Sequence, residues 1–89
     1  MIIVAGSIEV DPGDRATFLG ISAEAVRLAR STVGCHDFAV SADPVESGRV
    51  NVFEAWEDRE SLEAFRRGGP DDGLDSMILR TRVREFEVD

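Results

Sequence analysis

Arg49-Val50-Asn51-Val52-Phe53-Glu54-Ala55-Trp56-Glu57 is apolar on two alternating sets of positions at once. Successive side chains of an extended strand leave opposite faces. Val50, Val52 and Trp56 therefore point one way together with Glu54, while Phe53 and Ala55 point the other way with Asn51. Residues 2–10 repeat the pattern, with Ile2, Val4, Ile8 and Val10 set against Ile3 and Ala5. A sheet with helices on one face and water on the other has a polar outer face. An apolar outer face is a larger exposed patch than monomers usually carry. The double alternation predicts a homodimer through the sheet face, closed by a two-fold axis. The competing explanation is an edge strand exchanged in some other oligomer.

Outward from this strand, turn signals delimit the other elements. Asp11-Pro12-Gly13-Asp14 closes the first strand. From about Asp14 to Thr32 the period is helical, with Phe18, Leu19, Ile21, Ser22, Ala25, Val26, Leu28 and Ala29 on one arc. Gly34 ends that helix, and residues 35–42 form the second strand. Asp43-Pro44-Val45-Glu46-Ser47-Gly48 then links it to the third strand as an antiparallel hairpin. Asp58 is placed to N-cap a short helix that turns Leu62 and Phe65 inward, and Gly68-Gly69-Pro70 stops it. One or two further helical turns are expected within residues 70–79, starting at Pro70, before a last strand over 80–88. Strand, helix, strand, strand, helix, strand is the order of an α+β, ferredoxin-like fold: a four-stranded antiparallel sheet with helices on one face. The 89 residues hold one such domain.

Charge narrows the partners. Eighteen acids against ten bases, all arginine, give a net charge of −8, which repels nucleic-acid backbones and anionic membranes. Arg80, Arg82 and Arg84 alternate along the last strand and read as a solvated strand face. A single cysteine forms no intrachain disulfide. The N-terminal stretch has no basic leader, and its apolar run is too short for a membrane span. A cytoplasmic location is expected.

With one histidine and one cysteine, no zinc set assembles within one subunit. Asp71, Asp72 and Asp75 lack calcium-loop spacing, and Gly68-Gly69-Pro70 lacks the Lys-Ser/Thr of a phosphate loop. No cofactor motif is present.

Gly34-Cys35, Phe53-Glu54-Ala55-Trp56 and Asp58-Arg59-Glu60-Ser61-Leu62-Glu63-Ala64-Phe65, together with the closing Val83-Arg84-Glu85-Phe86-Glu87-Val88, resemble the antibiotic biosynthesis monooxygenase domain family. The resemblance runs over essentially the whole chain. It implies a dimeric α+β barrel and, for activity, a cofactor-independent monooxygenase or oxidase acting on a small electron-rich aromatic such as a quinol or polyketide-like phenol. The alternative it implies is a non-catalytic dimeric domain that binds a small ligand. The haem-degrading branch of the family resembles the chain least. Its strand-one Asn corresponds to Ser7, its helix-two Trp to Phe65, and its later His to about Asp75. Phe65 also stands where quinol-oxidising relatives often carry a histidine.

Five residues are candidates for the site. His36 is the candidate base, since it alone titrates near neutrality unperturbed, and its alternation with Phe38 and Val40 places it on a buried face. Trp56 is either a core side chain or the wall that stacks on an aromatic substrate. Glu54 either pairs with an arginine at the dimer seam or holds a raised pKa in a pocket. Asn51 either donates to a substrate oxygen or caps a backbone gap. Ser22 either bonds back to the Phe18 carbonyl or supplies a pocket hydroxyl. A substrate between the first helix and the sheet would bring Ser22 and Trp56 into one pocket. Cys35 is a small buried hydrophobe or a reactive thiol.

Overall fold

A computed structural model of the chain describes residues 1–69 and 73–89. Its elements are β1 (Ile2–Val10), α1 (Arg15–Arg30), β2 (Cys35–Ala42), β3 (Arg49–Trp56), α2 (Arg59–Gly68) and β4 (Ile78–Glu87). All neighbouring strands are antiparallel, in the order β2-β3-β1-β4. This is the expected ferredoxin-like arrangement.

The boundaries differ from the sequence expectation where local hydrogen bonds intervene. Pro12–Asp14 is a separate 3-10 turn, capped by the Asp11 carboxylate, which accepts from the Gly13 N–H at 2.9 Å. The first helix therefore starts at Arg15. It ends two residues before Thr32, whose hydroxyl donates to the Leu28 carbonyl at 2.7 Å. Asp58 caps α2 as expected, accepting from the Ser61 N–H at 2.8 Å. Gly68 is the last helical residue and Gly69 leaves in extended conformation, without a left-handed cap. Pro70, Asp71 and Asp72 lie outside the described residues. Beyond them one 3-10 turn spans Leu74–Met77, and β4 begins two residues earlier than expected.

Burial on α1 is narrower than the predicted arc. Phe18, Ser22 and Ala29 are buried, whereas Leu28 is 44% exposed. A helix lying on a sheet seals a stripe at i, i+4 and i+11, and Leu28 is turned 100° from Ala29.

Between helices and sheet lie two apolar clusters. One gathers Ile2, Val4, Ala29, Phe38, Trp56 and Leu62. The other gathers Val10, Phe18 and Val50 beneath the Leu74–Met77 turn. Val40 touches both. Two glycines permit close approaches. Gly6 has φ +152°, and a Cβ there would overlap the Arg82 carbonyl of β4. Gly34 has φ +92°, and a Cβ there would overlap Ser61 at the start of α2.

The register of the open face corrects the expectation of an apolar sheet on both sides. Four rows cross β3, β1 and β4: Arg49–Glu9–Arg80, Asn51–Ser7–Arg82, Phe53–Ala5–Arg84 and Ala55–Ile3–Phe86. One end is apolar, with Phe53 39% and Phe86 41% exposed. The other end is polar, because β4 contributes arginines and β1 ends in Ser7 and Glu9 on this side.

No helix among the described residues is long and apolar enough to cross a membrane.

Candidate functional site

Glu54 and Trp56 stand two residues apart on β3 and so share the face toward the helices. The register sets Glu54 between Val4 of β1 and Phe38 of β2. Trp56 is completely buried. Its ring lies 5.2 Å from that of Phe65 on α2 and 6.4 Å, edge-on, from that of Phe38. Phe38 and Phe65 meet at 5.8 Å. These separations fall in the favourable range for aromatic pairs. Burial of an indole requires a partner for its N–H, and Nε1 of Trp56 donates to Oε1 of Glu54 at 2.9 Å.

Glu54 makes no ion pair among the described residues. Burial pushes its carboxyl above the ordinary 4.5, more than the Trp56 hydrogen bond and nearby Arg66 pull it down. Glu54 is a half-buried acid beside the Trp56 ring. Arg59 and Arg66 are bound instead to Glu85 on β4, each at 3.0 Å, and hold that exposed carboxyl below its usual range.

Cys35 is opposite Trp56 on β2. Burial, then the charges of Glu54 and Asp37, push its thiol upward, and Sγ donates to the Asp37 carbonyl at 3.5 Å. The environment favours the thiol over the nucleophilic thiolate.

The other candidates lie apart from this pair. The β2–β3 register shifts between Cys35 and Asp37, so His36 is an extra residue in a bulge and is exposed. A simple alternation with Phe38 and Val40 fails there because a bulge breaks the period of two. Ser22 donates to the Phe18 carbonyl at 2.7 Å. It borders a groove of about 300 Å³ with Leu19, Val26, Arg27, Arg30 and Val40. Trp56 is absent from that lining, so Ser22 and Trp56 do not share one pocket. α1 sets Ser22 over the β2 edge, while Trp56 is sealed beneath Ala29, Leu62 and Phe65.

Asn51 is on the open face with its amide engaged at both ends. Nδ2 donates to Asp43 at 2.9 Å and Oδ1 accepts from Arg49 at 2.8 Å. Asp43 also accepts from the Val45 and Glu46 N–H groups, which with Asn51 bring its pKa down to about 2. This cluster fastens the β2–β3 hairpin.

Sequence reasoning put Glu54 and Trp56 on one strand face but missed their hydrogen bond and the contributions of Phe38 and Phe65. The i, i+2 spacing of an acid and a tryptophan on one strand face was the available signal. Among the described residues, no three His, Cys, Asp or Glu side chains converge as a metal site.

The strand order and helices define a four-stranded antiparallel α+β, ferredoxin-like domain, and comparison with known proteins gives its family. A family model described as antibiotic biosynthesis monooxygenase matches residues 1–70, and the chain belongs to that family. A candidate antibiotic biosynthesis monooxygenase from Deinococcus radiodurans superposes with a TM-score of 0.85 at 18% identity, covering 100% of this chain and 93% of that one. One from Caulobacter crescentus gives 0.81 at 18% identity, covering 99% and 89%. A conserved protein from Methanosarcina mazei gives 0.85 at 18% identity, covering 99% and 92%. An uncharacterized protein of Synechocystis is 32% identical over 62 residues, which are 70% of this chain and 42% of that protein. The chain thus matches less than half the length of this curated relative.

Proposed function

We propose that the chain oxidises a small electron-rich aromatic, a quinol or polyketide-like phenol, with molecular oxygen and without flavin or metal. The observation that carries this reading is the Glu54 carboxylate, half-buried, raised in pKa and oriented by the Trp56 N–H, in a domain of this family. Such chemistry asks the protein for a proton acceptor and a dry wall, because the deprotonated substrate supplies the electrons. Glu54 takes the substrate hydroxyl proton, and Trp56 fixes the direction of the carboxylate. For a quinol, two electrons and two protons pass to O2, giving quinone and hydrogen peroxide. For a phenol with a reduced ring carbon, one oxygen atom becomes the new carbonyl and the other leaves as water.

This reading moves the base from His36 to Glu54, since the His36 side chain is exposed at the bulge and makes no hydrogen bond among the described residues. A second reading, a ligand-binding domain without turnover, is favoured by Phe65. Its ring packs on Trp56 and Phe38 where quinol-oxidising relatives often place a histidine. Oxygen uptake by metal-free protein across a panel of hydroquinones and naphthols separates the two. Catalytic uptake on at least one compound is expected; saturable binding of those compounds with no uptake sinks the enzyme and favours the second reading.

We further propose that the apolar end of the open sheet face pairs with a second copy, covering Phe53 and Phe86. Sedimentation equilibrium at micromolar concentration is expected to give about twice the chain mass of 9.7 kDa. A stable monomer rejects this pairing.

A further inference from the structure

On the face toward the helices, one register row runs Phe38–Glu54–Val4–Glu85 across β2, β3, β1 and β4. Two carboxylates thus stand on either side of Val4, two strand spacings or about 10 Å apart. α2 packs on this row through Leu62, which is fully buried in the cluster with Val4 and Phe38. Arg59 and Arg66, three residues before Leu62 and four after, flank it on the same helix face. Arg66 bonds Glu85 at 3.0 Å and lies 3.6 Å from Glu63. Arg59 bonds the same Glu85, also at 3.0 Å, so Glu85 keeps a partner when Arg66 turns away. The charge of Arg66 reaches Glu54 as well and favours its ionised form, while Glu85 opposes it. Further charged or titratable groups around the row are Cys35 and Asp37 on β2 and Arg30 of α1, whose Nε donates to the Phe38 carbonyl at 2.8 Å. Val4 of β1 brings no charge.

We propose that Arg66 is a positioning residue for the Glu54 carboxylate: Glu63 and Glu85 hold its guanidinium over the row, where its charge keeps the acid ionised and ready to accept a proton. The proposal rests on the reading of Glu54 as the proton acceptor. A carboxyl taken half out of water tends to keep its own proton. A nearby cation offsets that tendency. A direct ion pair would offset it further, but it would cover the carboxylate oxygens that a substrate hydroxyl must reach. Glu85 sets the strength of the effect, because it draws Arg66 toward β4 and adds a like charge of its own. Removing Arg66 and removing Glu85 therefore act on Glu54 in opposite directions.

Trp56 is the only tryptophan, and its Nε1 donates to Glu54, so its indole N–H resonance reports the ionisation of this one carboxyl. Glu85 is held below the usual carboxylate range, so its own step falls at lower pH. In NMR titrations of the full chain, Arg66→Gln should raise the indole midpoint by about 0.5–1 pH unit, and Glu85→Gln should lower it by a similar amount. Arg66→Lys keeps the charge and should restore the wild-type midpoint, a recovery that a packing role would not give. Arg67→Gln, at an exposed position on α2, should leave the midpoint unchanged. Melting curves of each variant show that the fold persists. Oxygen uptake on a confirmed substrate should have an acid limb that moves with the indole midpoint in each variant. Shifts of the same sign in Arg66→Gln and Glu85→Gln, or no shift in either, overturn the proposal. So does an acid limb that stays in place while the indole midpoint moves. If no compound is oxidised, the reading of Glu54 as an acceptor fails, while opposite indole shifts still uphold the charge coupling.

Discussion

Trp56→Ala is expected to lower folding stability by about 3–5 kcal/mol, the range for truncating a core aromatic. The indole is 0% exposed and joins β3 to Phe38 of β2 and Phe65 of α2. Domains of this size are stable by only about 5–15 kcal/mol, so the variant sits near the unfolding threshold. The loss has two parts that a second substitution separates. Trp56→Phe keeps an aromatic body in the cluster but deletes the N–H that Glu54 accepts. A half-buried carboxylate without its donor costs about 1–3 kcal/mol. Urea denaturation of both variants at neutral pH measures the parts. A Trp56→Ala loss below about 0.5 kcal/mol, within the scatter of ordinary surface substitutions, would contradict the central place given to the cluster.

The same residues show why the fold was readable and the site was not. The order of elements follows from local signals: β-branched alternation, the Asp58 cap, and turn residues at 11–14 and 43–48. Each acts within a few residues, so one sequence carries it. The open face needed the register between strands. Alternation placed Ile3, Ala5, Phe53 and Ala55 outward, but only pairing with β4 sets Arg80 and Arg82 beside Glu9 and Ser7. His36 shows the same limit, because a single extra residue in β2 cancels a period-two argument. Ser22 was read with both its outcomes, and its 2.7 Å bond to Phe18 is the local one. The Glu54–Trp56 contact was within reach of the sequence, whereas Phe65 reaches Trp56 only through the packing of α2.

Glu54→Gln is expected to cut turnover on a confirmed substrate by about 10²–10⁴-fold, the usual contribution of a positioned acid–base group. The amide keeps an oxygen to accept the Trp56 N–H, so the aromatic cluster should survive while the proton acceptor is lost. Stability should move the opposite way to activity. Burial raises the native pKa of Glu54 above its ordinary 4.5, so between these two values the folded state holds a proton that the unfolded state has released. Wild-type stability therefore falls as pH rises from 4.5 through the raised value, and the penalty is complete above it. Glu54→Gln removes this step. Its stability relative to wild type should be higher at neutral pH, and the difference should shrink below pH 4.5. Urea midpoints across this range, read beside oxygen uptake, distinguish a catalytic carboxylate from a structural one. A variant that gains stability yet keeps full oxygen uptake leaves Glu54 a buried acid without a chemical role, and the proton acceptor must then be sought first at His36.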